Sequence, residues 1–245
     1  AELTSAMSQG VQTNEPGRSA AMIGGYLELA QRGLPLRVFE LGASAGLNLT
    51  FDRYRYVGTG AAFGPSSSAL VFDKPWVGAQ PDLGAPLVVA ERRGCDVAPI
   101  DVSSPEGRLR LRSFVWADQL DRLARLDAAL SVARADPPAV DRAHSADWLA
   151  SRLNVVSQTC TVVAHSIVFQ YLAPSERDRV VELIEAAGAT ATERAPLAWL
   201  RLEPGGDQAE LRLTTWPGGV TRVLARTSYH GPPVVWLADG SGGRR

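Results

Sequence analysis

Apolar positions along this chain change period repeatedly, and each change predicts an element. Ile23, Tyr26, Leu27 and Ala30 recur at helical spacing after Glu15-Pro16-Gly17, which predicts a helix running to about Arg32 with Gly33 as its stop. Leu36, Val38, Phe39 and Leu41 form a short apolar run between Pro35 and Gly42, a strand. Small residues over 42–46 then make a turn, and a short helix is expected over 45–53. Residues 54–84 break the rhythm with alternating Tyr54, Tyr56 and Val57, a Gly/Pro/Ser-rich turn over 58–68 and a resumption at Leu70 to Phe72; they predict a hairpin or loop excursion. A second core strand is predicted over 87–90 and a loop over 99–107. Leu120, Leu123, Leu126 and Leu130 make the stripe of a helix over 115–134, ended by Asp136-Pro137-Pro138. A short strand near 139–143 and one or two helical turns over 147–153 follow, then a strand over 159–164, β-branched and apolar enough to be buried on both faces. Ser175-x-x-Asp178 resembles a capping box opening a helix that buries Val180, Val181, Leu183, Ile184 and Ala187 and ends at Gly188. Strands over about 197–203, 209–216 and 221–229 close the chain, with Gly205-Gly206 and Pro217-Gly218-Gly219 as their turns.

Strands alternating with helices predict an α/β domain, a Rossmann-like and mostly parallel sheet with helices on both faces. The closing antiparallel hairpin selects the methyltransferase-type sheet over the dinucleotide type, which ends in another parallel strand. The expected organisation is an N-terminal lid segment and helix over 1–34, the α/β domain over 35–237 with the excursion at about 54–84 inserted, and a disordered tail over 238–245.

Composition changes this picture little. A chain of 245 residues, 45% hydrophobic and 21% charged, affords a large core. A net charge of −1 attracts neither nucleic acid nor an acidic membrane surface, so a small-molecule partner is expected, with the oligomeric state left open. Lys74 is the only lysine, which reads as codon bias, although arginines are also the natural clamps for carboxylates. Cys95 and Cys160 form no C-x-x-C pair and the three histidines do not cluster with them, so no metal site is expected. Two reduced thiols, no run long enough to span a bilayer and no opening signal peptide predict a cytoplasmic protein. The start at Ala1 suggests an upstream portion.

The candidate chemistry centres on Glu40-Leu-Gly42-Ala-Ser44-Ala-Gly46-Leu-Asn48. Small residues at a strand-to-helix turn let a ligand lie against the backbone, and the following helix start offers free N–H groups. The pattern resembles the first motif of S-adenosylmethionine-dependent methyltransferases, E/D-x-G-x-G-x-G: Glu40, Gly42 and Gly46 match, and Ser44 stands at the middle glycine. A plain tight turn with Glu40 capping a backbone N–H is the alternative. The expectation is an open cradle beside Leu41 for an adenosyl compound.

Further strings accompany it: Val11-Gln12-Thr13-Asn14-Glu15-Pro16-Gly17-Arg18, Asp52-Arg53-Tyr54, Glu91-Arg92-Arg93-Gly94-Cys95-Asp96 with Pro99 and Asp101, and His165-Ser166 with Gln170-Tyr171-Leu172. Together these resemble the bacterial family known as domain of unknown function 2332, over nearly the whole chain. That resemblance implies a methyltransferase-like fold with no established reaction.

Other residues follow from the fold type. An acid after the second strand holds ribose hydroxyls; Glu91, Asp96 and Asp101 compete, with Asp96 favoured, against a solvated acid paired to Arg92 or Arg93. The adenine loop lacks its usual acid, or has it shifted to Asp147; the neighbouring Trp148 reads as core. His165 follows the fourth strand as a candidate general base with Ser166 positioning the acceptor, against a histidine bonded to backbone. Gln12, Thr13, Asn14, Glu15 and Arg18 form a candidate lid, Asn14 and Arg18 gripping a carboxylate, against a plain helix cap. Tyr54, Tyr56 and Tyr171 line an acceptor pocket or pack in the core. The leading expectation is an S-adenosylmethionine-binding protein methylating a small molecule. Its rivals are a non-catalytic binding or scaffold module and, behind it, an NAD-type oxidoreductase.

Overall fold

The computed structural model describes residues 14–237. The expected tail over 238–245, and Gln12 and Thr13 of the expected lid, lie outside the described residues. A short 3-10 turn, Pro16–Arg18, leads into α1 (Ser19–Ala30), and Gly33 ends that element at positive φ. β1 (Leu36–Leu41) passes through the 42–46 bend into a kinked 3-10 segment, Leu47–Arg53. The excursion is a small sheet of its own: β2 (Arg55–Val57) pairs antiparallel with β3 (Ala62–Phe63) and parallel with β4 (Val71–Asp73).

β5 (Val89–Asp96) starts near the expected place but runs on through Glu91-Arg92-Arg93. These charges are tolerated in a strand because each has a partner: Glu91 with Arg37, Arg92 with Asp52, Arg93 with Asp141. The expected loop over 99–107 holds the start of α2 (Pro105–Ser113), whose N-cap Ser104 accepts from Gly107 N–H. Consequently α3 (Leu120–Ala135) begins five residues later than the 115 expected. β6 (Val140–Arg142), α4 (Ser145–Arg152) and β7 (Cys160–Ser166) follow. α5 (Pro174–Ala189) opens at Ala173 without a side-chain cap, so Ser175-x-x-Asp178 is no capping box; Glu176 instead accepts from Ser145 N–H. Gly188 lies inside this helix, where a Cβ would crowd Trp216. β8 (Leu197–Pro204), β9 (Ala209–Trp216), β10 (Val220–Ser228) and β11 (Gly231–Trp236) complete the chain. β11, with two prolines, escapes sequence reading; they are accommodated because Pro232 and Pro233 fall at the register shift between the Thr227–Val234 and Ser228–Gly231 pairs, where the ladder needs no N–H from them.

The large sheet has the order β11-β10-β9-β8-β7-β1-β5-β6. β6, β5, β1, β7 and β8 are parallel, and β9 to β11 are antiparallel. This is the expected Rossmann-like α/β fold with antiparallel C-terminal strands, a meander one strand longer than a hairpin. Strand alternation divides the core in two. Leu36, Val38, Val162, Ala164, Leu200 and Leu202 face α1 and α3. Phe39, Leu41, Val163, Leu197 and Trp199 face α4 and α5. The helices therefore cover both faces. No described helix is long and apolar enough to cross a membrane.

α1 packs against the meander through glycine. A Cβ at Gly24 would overlap the Trp236 ring. Gly24→Ala is expected to cost about 1–3 kcal/mol through overpacking. Urea denaturation checks this, and an unchanged midpoint would refute tight α1–β11 packing.

Candidate functional site

β1 leads to β5 on one side and is flanked by β7 on the other, so the chain changes direction across the sheet there. In open α/β sheets ligands bind outside the carboxyl ends of strands at such a switch point. The 42–46 bend after β1 and the 167–168 segment after β7 face each other at this place. Both carry non-glycine residues in the left-handed region: Ser44 at φ 53° and the β-branched Ile167 at φ 54°. Such residues store strain, and strain gathers at working sites.

The bend is not the open cradle expected from the sequence. Ala43, Ser44, Ala45 and Gly46 are buried. A Cβ on Gly42, at φ 62°, would come within 2.6 Å of Val168, and one on Gly46 within 2.7 Å of Pro138. The amides have acceptors within the chain: Ala43 N–H donates to Cys95 O, Ser44 N–H to Asp96 Oδ2 and Leu47 N–H to Asn14 Oδ1, all at 2.9 Å. Two open surface hollows lie elsewhere. One of about 510 Å³ is lined by Glu28, Gln80, Asp82, Arg222 and Trp236, the other of about 590 Å³ by Arg32, Gln158 and Arg194.

Two side-chain oxygens at the bend are nevertheless buried without a partner, Glu40 Oε2 and Ser44 Oγ. Burial pushes the Glu40 carboxyl up to about 8; Arg18 opposes that shift and Asp96 adds to it. An orphaned buried polar group costs about 1–3 kcal/mol.

Most of the sequence candidates meet here. Asn14 holds the bend from one side. Asn48 Oδ1 accepts from Ser19 Oγ at 2.8 Å, tying the bend to α1. Asp96, the last residue of β5, also accepts from Ala98 N–H at 2.8 Å. Arg18 is buried and donates to the carbonyls of Tyr229 and Ser166, each at 3.0 Å. The other two acids do not join them: Glu91 points outward from mid-strand to Arg37, and Asp101 is exposed and bonded to Ser103. Asp147 is exposed on the first turn of α4. Trp148 packs edge-on against Phe39 and donates to Asp141 at 2.7 Å. Tyr54 and Tyr56 are fully buried, while Tyr171 is 75% exposed.

His165 as general base is overturned by the structure. His165 and Ser166 do not follow the strand; they are its last two residues. Side chains alternate across a strand, so Ser166 shares the face of Glu40 and His165 points to the opposite one. There His165 is fully buried and stacked on Phe169. Its Nε2 accepts from Trp199 Nε1–H at 2.9 Å, which places the proton on Nδ1, 2.6 Å from Glu203 Oε1. No ring nitrogen remains for an acceptor. Glu203 also takes the N–H groups of Val168 at 2.9 Å and Phe169 at 3.4 Å, and so shapes the segment lying against Gly42. Sequence reading passed over Glu203. Its signal was the alternation Trp199-x-Arg201-x-Glu203, an acid on a buried face that needs a partner.

No curated protein matches the chain. A solved structure, a DhpI–SAH complex, is similar at 10% identity, covering 91% of this chain and 70% of its own, with a TM-score of 0.29, too low to say anything of function. The profile of a family of uncharacterised proteins conserved in bacteria, domain of unknown function 2332, matches residues 1–236. That match spans nearly the whole chain, and the protein belongs to this family.

Proposed function

We propose that this protein binds S-adenosylmethionine at the β1/β7 crevice and methylates a small-molecule acceptor. The observation that carries the reading is the pair of orphaned buried oxygens, Glu40 Oε2 and Ser44 Oγ, on a glycine bend at the switch point. A cofactor with an ammonium group and hydroxyls supplies the donors they lack. Asp96 is the carboxylate assigned to the ribose diol in this reading, supported by its place at the end of β5, where it orders the bend through Ser44 N–H. The adenine side fits less well, since Asp147 faces solvent.

When bound, the cofactor supplies an electrophilic methyl group; the chain positions it and shields it from water. Glu40 takes the ammonium, Gly42 allows backbone approach, Gly46 lets the bend turn against Pro138, and Ser166 lies on the same sheet face for the acceptor. Val168 withdraws from Gly42 as the ligand enters, relieving strain at Ile167. A second reading, a binding or scaffold module without catalysis, is favoured by the packing of Val168 on Gly42 and by the bend amides already being taken.

Calorimetric titration with S-adenosylmethionine, S-adenosylhomocysteine and NADH tests this. One equivalent of either adenosyl compound is expected to bind, more tightly to Val168→Ala. Absence of binding to both, in wild type and variant alike, leaves the scaffold reading; NADH binding in their place would overturn both.

A further inference from the structure

Three basic side chains, Arg122, Arg125 and His230, converge on one buried carboxylate, and the buried Arg18 guanidinium lies near enough to feel its charge. Glu15, its side chain 3% exposed, accepts from Gly17 N–H at 3.0 Å and from Arg122 Nε at 2.7 Å. Arg125 stands 3.6 Å from it and His230 Nδ1 3.9 Å. Arg18 sits between this group and Ser166 at the end of β7, which ties the group to the crevice. Glycines build the place. A Cβ on Gly17 would overlap the His230 carbonyl and come within 2.9 Å of Arg125. Gly231, at φ 99°, packs directly on the Gly17 backbone and seats the β10–β11 turn against the 15–18 turn.

The charges do not balance. The carboxylates that face these guanidiniums are Glu15 and Glu203, against Arg18, Arg122 and Arg125. Burial pushes the Glu40 carboxyl up to about 8, which weakens it as a counter-charge. Arg125 forms no hydrogen bond among the described residues, only its 3.6 Å ion pair, although its side chain is just 23% exposed. Burial and the surrounding Arg122, Arg18 and Arg125 push the His230 imidazole down, against Glu15. A half-buried guanidinium with unused donors beside an imidazole suits an incoming oxyanion, which a planar fork grips with two bonds.

We propose that Arg18, Arg122, Arg125 and His230, set around Glu15, bind a carboxylate or phosphate group of the methyl acceptor, so that the acceptor is a small acid. That the bound acid is a methyl acceptor rests on the methyl-transfer reading; the anion site does not.

The test is a proton NMR titration of His230 in the whole chain, with inorganic phosphate and malonate as separate probes. Saturation with the matching probe raises the His230 midpoint, since an anion favours the imidazolium. Which probe acts tells phosphate from carboxylate. Arg125→Met weakens that probe roughly tenfold, Arg125→Lys less, because the fork is lost but the charge stays. Both variants retain the wild-type thermal midpoint and S-adenosylhomocysteine affinity. The proposal is overturned when neither probe moves His230, when Arg125→Met leaves probe affinity unchanged, or when it weakens S-adenosylhomocysteine instead. Probe binding through Arg125 in a chain that binds no adenosyl compound upholds the anion site and removes the methyl-transfer reading alone.

Discussion

Glu203→Ala is expected to lower the unfolding free energy by about 3–5 kcal/mol, since three donors lose their acceptor at about 1–3 kcal/mol each, partly recovered where water reaches them. One carboxylate oxygen serves His165 Nδ1 and the N–H groups of Val168 and Phe169, and the side chain is only 13% exposed. Alanine leaves all three donors inside the protein without an acceptor. Glu203→Gln keeps an oxygen but loses the charge, and is expected to cost about half as much. The pH dependence has a definite sign. Burial pushes the Glu203 carboxyl up, but the hydrogen bonds from His165, Val168 and Phe169 outweigh it and hold the group below its ordinary 4.5. A depressed folded-state pKa stabilises above the unfolded value and is lost as pH falls through the folded one. The gap between wild type and Glu203→Gln therefore closes as pH drops below about 4.5. Urea denaturation across that range checks it. A loss under about 1 kcal/mol for alanine at pH 7 would mean that Glu203 does not hold the segment after β7.

Glu40→Gln is expected to act in the opposite direction. The Glu40 carboxyl is raised from 4.5 to about 8 by burial. Between those values the unfolded chain is ionised while the folded one retains a proton, so stability falls as pH rises through this window and levels off above 8. The penalty reaches about 4 kcal/mol at pH 8 and above. Glutamine cannot ionise, and Glu40→Gln is expected to gain a large part of that amount at pH 8 while losing the slope. Under the proposed function the same residue reports the ligand: an ammonium beside Glu40 favours the carboxylate, so binding releases a proton. S-adenosylhomocysteine affinity is then expected to rise from pH 6 to 8 in wild type and to stay flat in Glu40→Gln. Parallel pH profiles for the two proteins would disconnect Glu40 from the ligand.

Legibility of the fold followed the range of the forces involved. β1, its bend, β7 and the strands at 197–204 and 209–216 are carried by local apolar runs and turn residues, and they stood in the sequence almost at their observed limits. β5 was read short because its middle is Glu91-Arg92-Arg93, whose partners Arg37, Asp52 and Asp141 are 40 to 54 residues away along the chain. α2 was missed although Ser104-Pro105-Glu106 is a start signal, since its arginine-rich sequence has little apolar stripe to find. Of the site, the convergence of Glu40, Asp96, Asn14 and Arg18 was legible; the face of His165 was not, because a strand read as ending at 164 assigns His165 to the loop beyond it.

Sequence alone determined the alternation of strands and helices, the glycine bend after β1 and the membership these motifs carry, because each depends on neighbours within a few residues. Only the tertiary structure decided that Val168 closes the bend, that His165 is held by Glu203 and Trp199, and that Arg122, Arg125 and His230 gather about Glu15. Those contacts join positions far apart along the chain, and side-chain burial and charge pairing at such distances exist only once the sheet has brought its strand ends together.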